Sequence, residues 1–322
     1  MPPIVLVTEP EYRRGDPVFS STTDLECVPT PPTEDALASA VVRTGARYCV
    51  IGSVPYREAL YAVLPRGAVL ARFGVGYDSV DTARATRAGV LCTNTPDVLQ
   101  QSVAEITMFM IGAAARHLVP VSSAMAGGQW APKQGVELQD KRLAIVGCGE
   151  IGRAVARIAS GGFGMRVLGY RRRPGAPLEH FDTVSDDFAS VVQDADFVSL
   201  HIPASVENQR FMNRERLSLL PERAWLVNTA RGSVVDEAAL HDALVAGRLR
   251  GAALDVFERE PYVPVEDSRD LRALPQVILL PHVGSNTVEA NARMAERALR
   301  NVRLGAAGDF AAMDLLNREV AR

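Results

Sequence analysis

The segment Gly147-Cys148-Gly149-Glu150-Ile151-Gly152 spaces three glycines as G-x-G-x-x-G, a pattern with a use in phosphate chemistry. The first glycine permits a tight turn, the second lets backbone amides approach a pyrophosphate, and the third lets a helix pack closely on a strand. A helix starting there offers unpaired N–H groups and a partial positive charge to the phosphates. Such a match carries weight only between a strand and a helix. Here the apolar run Leu143–Val146 precedes it, and Val155, Ile158 and Ala159 follow at helical spacing. Arg166–Tyr170 then reads as a second strand running into Arg171, Arg172 and Arg173. A strand–turn–helix–strand unit that binds a dinucleotide is the expectation.

The elements around this unit alternate. Ile4–Thr8 and Leu25–Val28 read as strands, and a helix is expected from Glu34 to about Gly45 with Thr33 as its cap. Tyr48–Ile51, Val69–Arg72 and Val90–Thr93 are short strand-like runs, with Ser79–Ala88 helical before Gly89. Ser102–His117 is strongly periodic, with Val103, Ile106, Phe109 and Met110 at helical spacing, and Gly127–Asp140 reads as an irregular loop. After the arginines, Phe197–Leu200, Trp225–Asn228, Gly251–Asp255 and Val277–Leu280 read as strands. Arg214–Leu220, Glu237–Ala246 and Thr287–Leu304 read as helices. Alternation of this kind implies parallel sheets: one doubly wound domain near residues 100–284 and a smaller α/β domain near 1–99.

Composition narrows the partners. A hydrophobic content of 47% over 322 residues supplies a core, and a net charge of −3 gives no electrostatic reason to expect a nucleic acid or a membrane. Cys27, Cys49, Cys92 and Cys148 show no C-x-x-C pair and no metal-ligand spacing, so reduced thiols and no metal are expected. The N-terminus lacks a basic region before an apolar run, and Ile106–Ala115 is too short to span a bilayer. A cytoplasmic protein is the expectation.

Eight segments, in order, resemble the D-isomer-specific 2-hydroxyacid dehydrogenases, the family of D-3-phosphoglycerate dehydrogenase, glyoxylate/hydroxypyruvate reductase and D-lactate dehydrogenase. They are ARFGVGYDSVD (Ala71–Asp81), TNTPD (Thr93–Asp97), SVAEIT (Ser102–Thr107), GCGEIG, LHIP (Leu200–Pro203), NTARGSVVDEAAL (Asn228–Leu240), ALDVFEREP (Ala253–Pro261) and LPHVGSNT (Leu280–Thr287). The resemblance implies a Rossmann cofactor domain, residues 100–284, inserted in a smaller flavodoxin-like substrate domain, residues 1–99 plus 285–322. It also implies hinges near Thr95–Ser102 and Gly284–Thr287, and an active site in a cleft whose closure excludes water. A short form, without the regulatory domain that many phosphoglycerate dehydrogenases carry, is the expectation.

Reducing a 2-keto acid needs a cation for the carboxylate and ketone, a proton donor for the developing alkoxide, and a fixed nicotinamide. The resemblance puts Arg231 in the first role, where a guanidinium can form a planar bidentate pair and stays charged. His282 takes the second role, since imidazole titrates in the working range. Glu260, immediately before Pro261, is its partner in preference to Glu258; a carboxylate there favours the imidazolium and fixes its tautomer. Amides of Gly74, Val75 and Gly76 correspond to the loop that grips the substrate carboxylate. Asp255 corresponds to the aspartate that holds the nicotinamide carboxamide, with Thr229, Ala230 and Thr107 at the same end. Glu150, Ile151, His201 and Pro203 complete the expected cofactor contacts.

The sequence departs from the NAD-selective pattern after the second Rossmann strand. Where an acid would bind the ribose hydroxyls stand Arg171 and Arg172, which can pair with a 2′-phosphate, so NADP is expected in preference to NAD. A solvated basic loop that tolerates either cofactor is the competing explanation. Two functional alternatives remain at this level: a cofactor-sensing, corepressor-like binding protein on the same fold, and a phosphite dehydrogenase-like enzyme. By analogy a homodimer through the cofactor domains is expected, with Trp130 as a candidate anchor.

Overall fold

Short runs of consecutive apolar residues make poor surface strands and good buried ones, and both sheets of this chain are built from them. In the computed structural model, which describes residues 2–173 and 175–321, the chain divides into two compact units, Met1–Leu99 with Ser285–Arg322 and Gln100–Gly284.

The first unit holds five parallel strands, β1 (Ile4–Thr8), β2 (Glu26–Thr30), β3 (Tyr48–Ile51), β4 (Val69–Arg72) and β5 (Leu91–Thr93), in the order β2-β1-β3-β4-β5. This is the flavodoxin-like order. β4 is buried at all four residues, as an interior parallel strand must be. The helix Val288–Ala307 belongs to this unit and packs on β4 and on the helix Glu9–Gly15. Thr287 caps it by accepting the Ala290 N–H, and Gly308 ends it in the left-handed region. The tail beyond it extends the edge of β5: Leu316 donates to the Cys92 carbonyl, and Asn317 pairs with the Cys92 amide and the Val90 carbonyl.

The second unit holds seven parallel strands: β6 (Arg142–Val146), β7 (Arg166–Tyr170), β8 (Thr183–Ser185), β9 (Phe197–Leu200), β10 (Trp225–Asn228), β11 (Gly251–Leu254) and β12 (Val277–Leu279). Their order is β12-β11-β10-β9-β6-β7-β8. Strand alternation divides the core between two faces. Leu143, Ile145, Phe197, Trp225 and Val227 enter one cluster, and Ala144, Val146, Val198, Leu200 and Leu226 enter the other. The chain leaves β6 toward β7 and later returns on its other side at β9, so the strand order reverses between β6 and β9. In open α/β sheets, ligands bind outside the carboxyl ends of the strands at such a reversal.

Several elements differ from expectation. Thr33 stands at the start of the helix Glu34–Thr44 but its side chain makes no capping bond. The Glu34 carboxylate instead accepts the amides of Arg57, Glu58 and Leu60. The periodic helix runs Gln100–Arg116 and is followed, after His117 at φ +53°, by a second helix, Leu118–Ala126, that buries none of its residues. Among the described residues no single helix is long and apolar enough to cross a membrane.

Candidate active site

The glycine turn follows β6. Gly147 adopts φ +102°, where a Cβ would run into the His201 carbonyl, and a Cβ on Gly152 would run into the carbonyl of Gly147. Both positions therefore require glycine. Gly149 is different: a side chain there would meet open space. It is the N-cap of the helix Glu150–Phe163, and no side chain caps that end. An open approach to an uncapped helix N-terminus suits a pyrophosphate on the amides of Glu150, Ile151 and Gly152. Glu150 itself is paired with Arg153 on the surface.

Around this turn, His201 donates its amide to Val146 and its ring shares a 2.9 Å hydrogen bond with Ser199. Burial drives the His201 pKa down to about 3, so the ring is neutral. The Pro203 carbonyl is occupied by Asn208. Arg171 begins the loop after β7, with its guanidinium folded onto the Ala176 carbonyl at 2.7 Å, while Arg172 is exposed. The Arg172 charge reaches Glu207, one of several influences that lower that carboxyl's pKa, the Ser205 hydroxyl being the largest. The two arginines treated alike in the sequence are thus in different situations.

Three neighbouring strand ends, those of β10, β11 and β12, carry the remaining residues. After β10, the Asn228 side chain accepts the Ala230 N–H at 3.0 Å and donates to the Arg231 carbonyl at 2.8 Å, fixing the turn that presents Arg231. Asn228 opens the NTARG motif without a role of its own in the sequence, because that role depends on the turn closing over it. The Arg231 guanidinium donates to the Ala230 carbonyl. Thr229 and Thr107 share a 2.9 Å bond between hydroxyls, tying this turn to the helix Gln100–Arg116.

After β12, His282 sits at φ +55°, a region that non-glycine residues seldom enter. Asp255, at the end of β11, holds it there. The Asp255 carbonyl accepts the His282 N–H, and its carboxylate oxygens accept Val283 and Gly284 at 2.8 and 2.7 Å. The side chain expected to contact the nicotinamide is therefore 1% exposed and spends an acceptor site on each oxygen organising the turn of His282. Burial pushes the Asp255 pKa up, against those two amides.

The His282 ring Nδ1 lies 2.6 Å from Glu260 Oε2, and Glu260 Oε1 accepts the Phe257 N–H at 3.0 Å. Burial alone would raise the Glu260 carboxyl; the His282 hydrogen bond and charge, the Phe257 amide and the Arg231 charge together lower it. Glu258 is occupied elsewhere, with Arg210 at 3.3 Å and the Glu237 amide at 3.1 Å. A carboxylate bound to Nδ1 leaves Nε2–H as the proton that the imidazolium presents.

The loop after β4, in the other unit, narrows one expectation. The Gly74 N–H is taken by the Thr95 hydroxyl at 3.0 Å, so the carboxylate donors reduce to Val75 and Gly76. Gly74 adopts φ +137°, where a Cβ would strike the Arg72 guanidinium. Asn94 braces the loop through the Val75 carbonyl. Phe73 is buried against Phe19, whereas Tyr77 is exposed.

A doubly wound sheet with a glycine turn at its reversal, and an arginine beside a carboxylate–imidazole pair on adjacent strand ends, fits what a nucleotide-dependent oxidoreductase needs. Comparison with known proteins specifies the class. The sequence profile of the D-isomer specific 2-hydroxyacid dehydrogenase NAD binding domain matches residues 108–284. Glyoxylate reductase of Thermococcus litoralis is 34% identical over 99% of this chain and 98% of its own length. That of Pyrococcus furiosus is 40% identical over 82% and 80%. Among solved structures, the NADPH-dependent glyoxylate/hydroxypyruvate reductase of Sinorhizobium meliloti, in complex with NADP and malonate, superposes with a TM-score of 0.79 at 28% identity, covering 94% of this chain and 93% of that one. The chain belongs to the D-isomer specific 2-hydroxyacid dehydrogenase family. It is an NAD(P)-dependent oxidoreductase on the two-sheet α/β fold of that family.

Proposed function

We propose that the protein reduces a small 2-keto acid of the glyoxylate or hydroxypyruvate type, with Arg231, Glu260 and His282 as its catalytic residues. The observation that carries this reading is the 2.6 Å contact between His282 and Glu260, within reach of the Arg231 charge. Arg231 binds the substrate carboxylate and draws on the ketone oxygen. His282, its Nδ1 engaged by Glu260, delivers the Nε2 proton to the developing alkoxide. The bound nicotinamide supplies the hydride. In the oxidative direction neutral His282 takes the proton back.

Glyoxylate as the substrate class follows the names of the similar curated proteins. NADP is favoured over NAD by Arg172, whose exposed guanidinium is available to a 2′-phosphate, with Arg171 shaping the loop beneath. A homodimer through the cofactor units would cover Phe109, Leu118, Val119, Met125 and Trp130, which are exposed in the single chain.

The test is NADPH and NADH oxidation with glyoxylate, hydroxypyruvate, phenylpyruvate, a phosphono keto acid and, in the reverse direction, phosphite. Turnover of the two small keto acids, reduced by about a thousandfold in Arg231→Ala and in His282→Asn, is expected. Unchanged turnover in either variant overturns the assignment.

A further inference from the structure

The residues that face each other behind Arg231 and Glu260 form a reciprocal contact that the reaction just described does not use. The helix Glu237–Val245 begins shortly after Arg231, through the turn Gly232–Val234. Its first residue accepts the Glu258 N–H on Oε1 at 2.5 Å, and the Glu237 N–H donates back to Glu258 Oε1 at 3.1 Å. The two backbones touch at the same place: a Cβ on Gly232 would collide with the Phe257 carbonyl carbon and oxygen and the Glu258 nitrogen. The segment Phe257–Glu258 is therefore bound to Glu237 on one side. On the other, the Phe257 N–H is held by Glu260, the carboxylate that meets His282.

We propose that Glu237 is a positioning residue: with Glu258 it clasps the Arg231 turn to the Glu260 segment and so sets where Glu260 meets His282. The inference rests on the catalytic reading above. Glu237 is 3% exposed, and its Oε2 has no hydrogen-bond partner. A surface carboxylate capping a helix would be solvated; this one is buried in a place where only the clasp recovers its desolvation. Burial pushes its pKa to about 7, with the Glu258 and Glu260 charges adding and the Glu258 amide and Arg259 opposing. Tyr262 also feels its charge, and Arg210 neutralises the outer oxygen of Glu258. A neutral side chain of the same shape should accordingly keep the clasp.

The experiment compares Glu237→Ala, Glu237→Gln, Glu258→Ala and Glu260→Gln in the intact protein, following kcat, both KM values and the pH profile of keto-acid reduction, with Tm as a separate readout. Glu260→Gln is expected to move the alkaline limb of kcat to lower pH, because the negative charge beside the His282 ring is then gone. Glu237→Ala is expected to move the limb the same way and lower kcat about tenfold, with the cofactor KM unchanged. Glu237→Gln should restore both. If Glu237→Ala does not fold, Glu258→Ala opens the same clasp from the other side and is read on the same limb. A limb that stays in place in these alanine variants, whatever happens to Tm, overturns the clasp. A limb that stays in place in Glu260→Gln instead sinks the catalytic reading, and the clasp with it.

Discussion

At the scale of single residues, the backbone of His282 decides how its chemistry should be probed. Alanine is strained at φ +55°, whereas asparagine tolerates the left-handed region. His282→Ala therefore mixes loss of the proton with relaxation of the turn that Asp255 holds. His282→Asn removes the ring and its proton without that backbone strain, and its Tm is expected to stay closer to that of the parent. Glu237 carries a pH-dependent stability of definite sign. Its pKa rises from 4.5 to about 7 on folding, so its contribution is complete below pH 4.5 and is lost as pH rises through 7. Glu237→Gln should melt with the parent near pH 5 and above it at pH 8, by up to about 3 kcal/mol; thermal melts at both pH values decide. For the cofactor, Arg172→Ala is expected to raise the NADPH KM about tenfold and leave that for NADH alone, with Arg171→Ala affecting both. Equal NADH and NADPH kinetics in the parent would remove the NADP proposal. The short motifs around Arg231, Glu260 and His282 made these residues visible in sequence. Asn228, Asp255 and Glu237 were not assigned their contacts there, because each binds amides that tertiary structure brings to it.

At the scale of elements, legibility followed periodicity and burial. β6, β7, β9 and β10 lie within apolar runs whose bounds are set by glycine, proline or charge, and they stand as the spacing predicts. β8 is three residues long, carries little apolar surface and sits at a sheet edge, so no pattern marked it. The helix Glu9–Gly15 starts with proline in its first turn, which is compatible with helix and easily read as a break. The helix Leu118–Ala126 is apolar on all sides, and an amphipathic pattern cannot reveal a helix that has no buried face within its own chain. The glycine turn permits a sharper prediction. In Gly152→Ala the new methyl must displace the Gly147 carbonyl or the start of the helix, so the cofactor KM should rise about tenfold or more before the keto-acid KM changes. Initial-rate kinetics varying each substrate in turn measure this.

At the scale of the whole molecule, the dimer proposal predicts a hydrodynamic mass of twice 34.7 kDa. Leu118→Asp combined with Val119→Asp should reduce it to that of one chain in a sedimentation experiment, since neither residue is buried within its own chain. Sedimentation of the parent as a monomer would remove the proposal. The family was legible because eight short segments stand in one order along the chain. Substrate choice was not, because it depends on side chains from segments that no rule turns into a shape.

The discontinuity of the first unit has a consequence for biosynthesis. Domains emerging from a ribosome ordinarily fold in the order they are made. Here Gln100–Gly284 is complete as soon as it is translated, whereas the unit begun by Met1–Leu99 still lacks the helix Val288–Ala307 and the pairing of Leu316 and Asn317 with β5. Met1–Leu99 must wait for a helix made after Gly284. The isolated fragment 100–284 is expected to melt cooperatively by circular dichroism, and the fragment 1–99 to show no transition. A cooperative melt of the second fragment would mean that the early strands fold without their late partner.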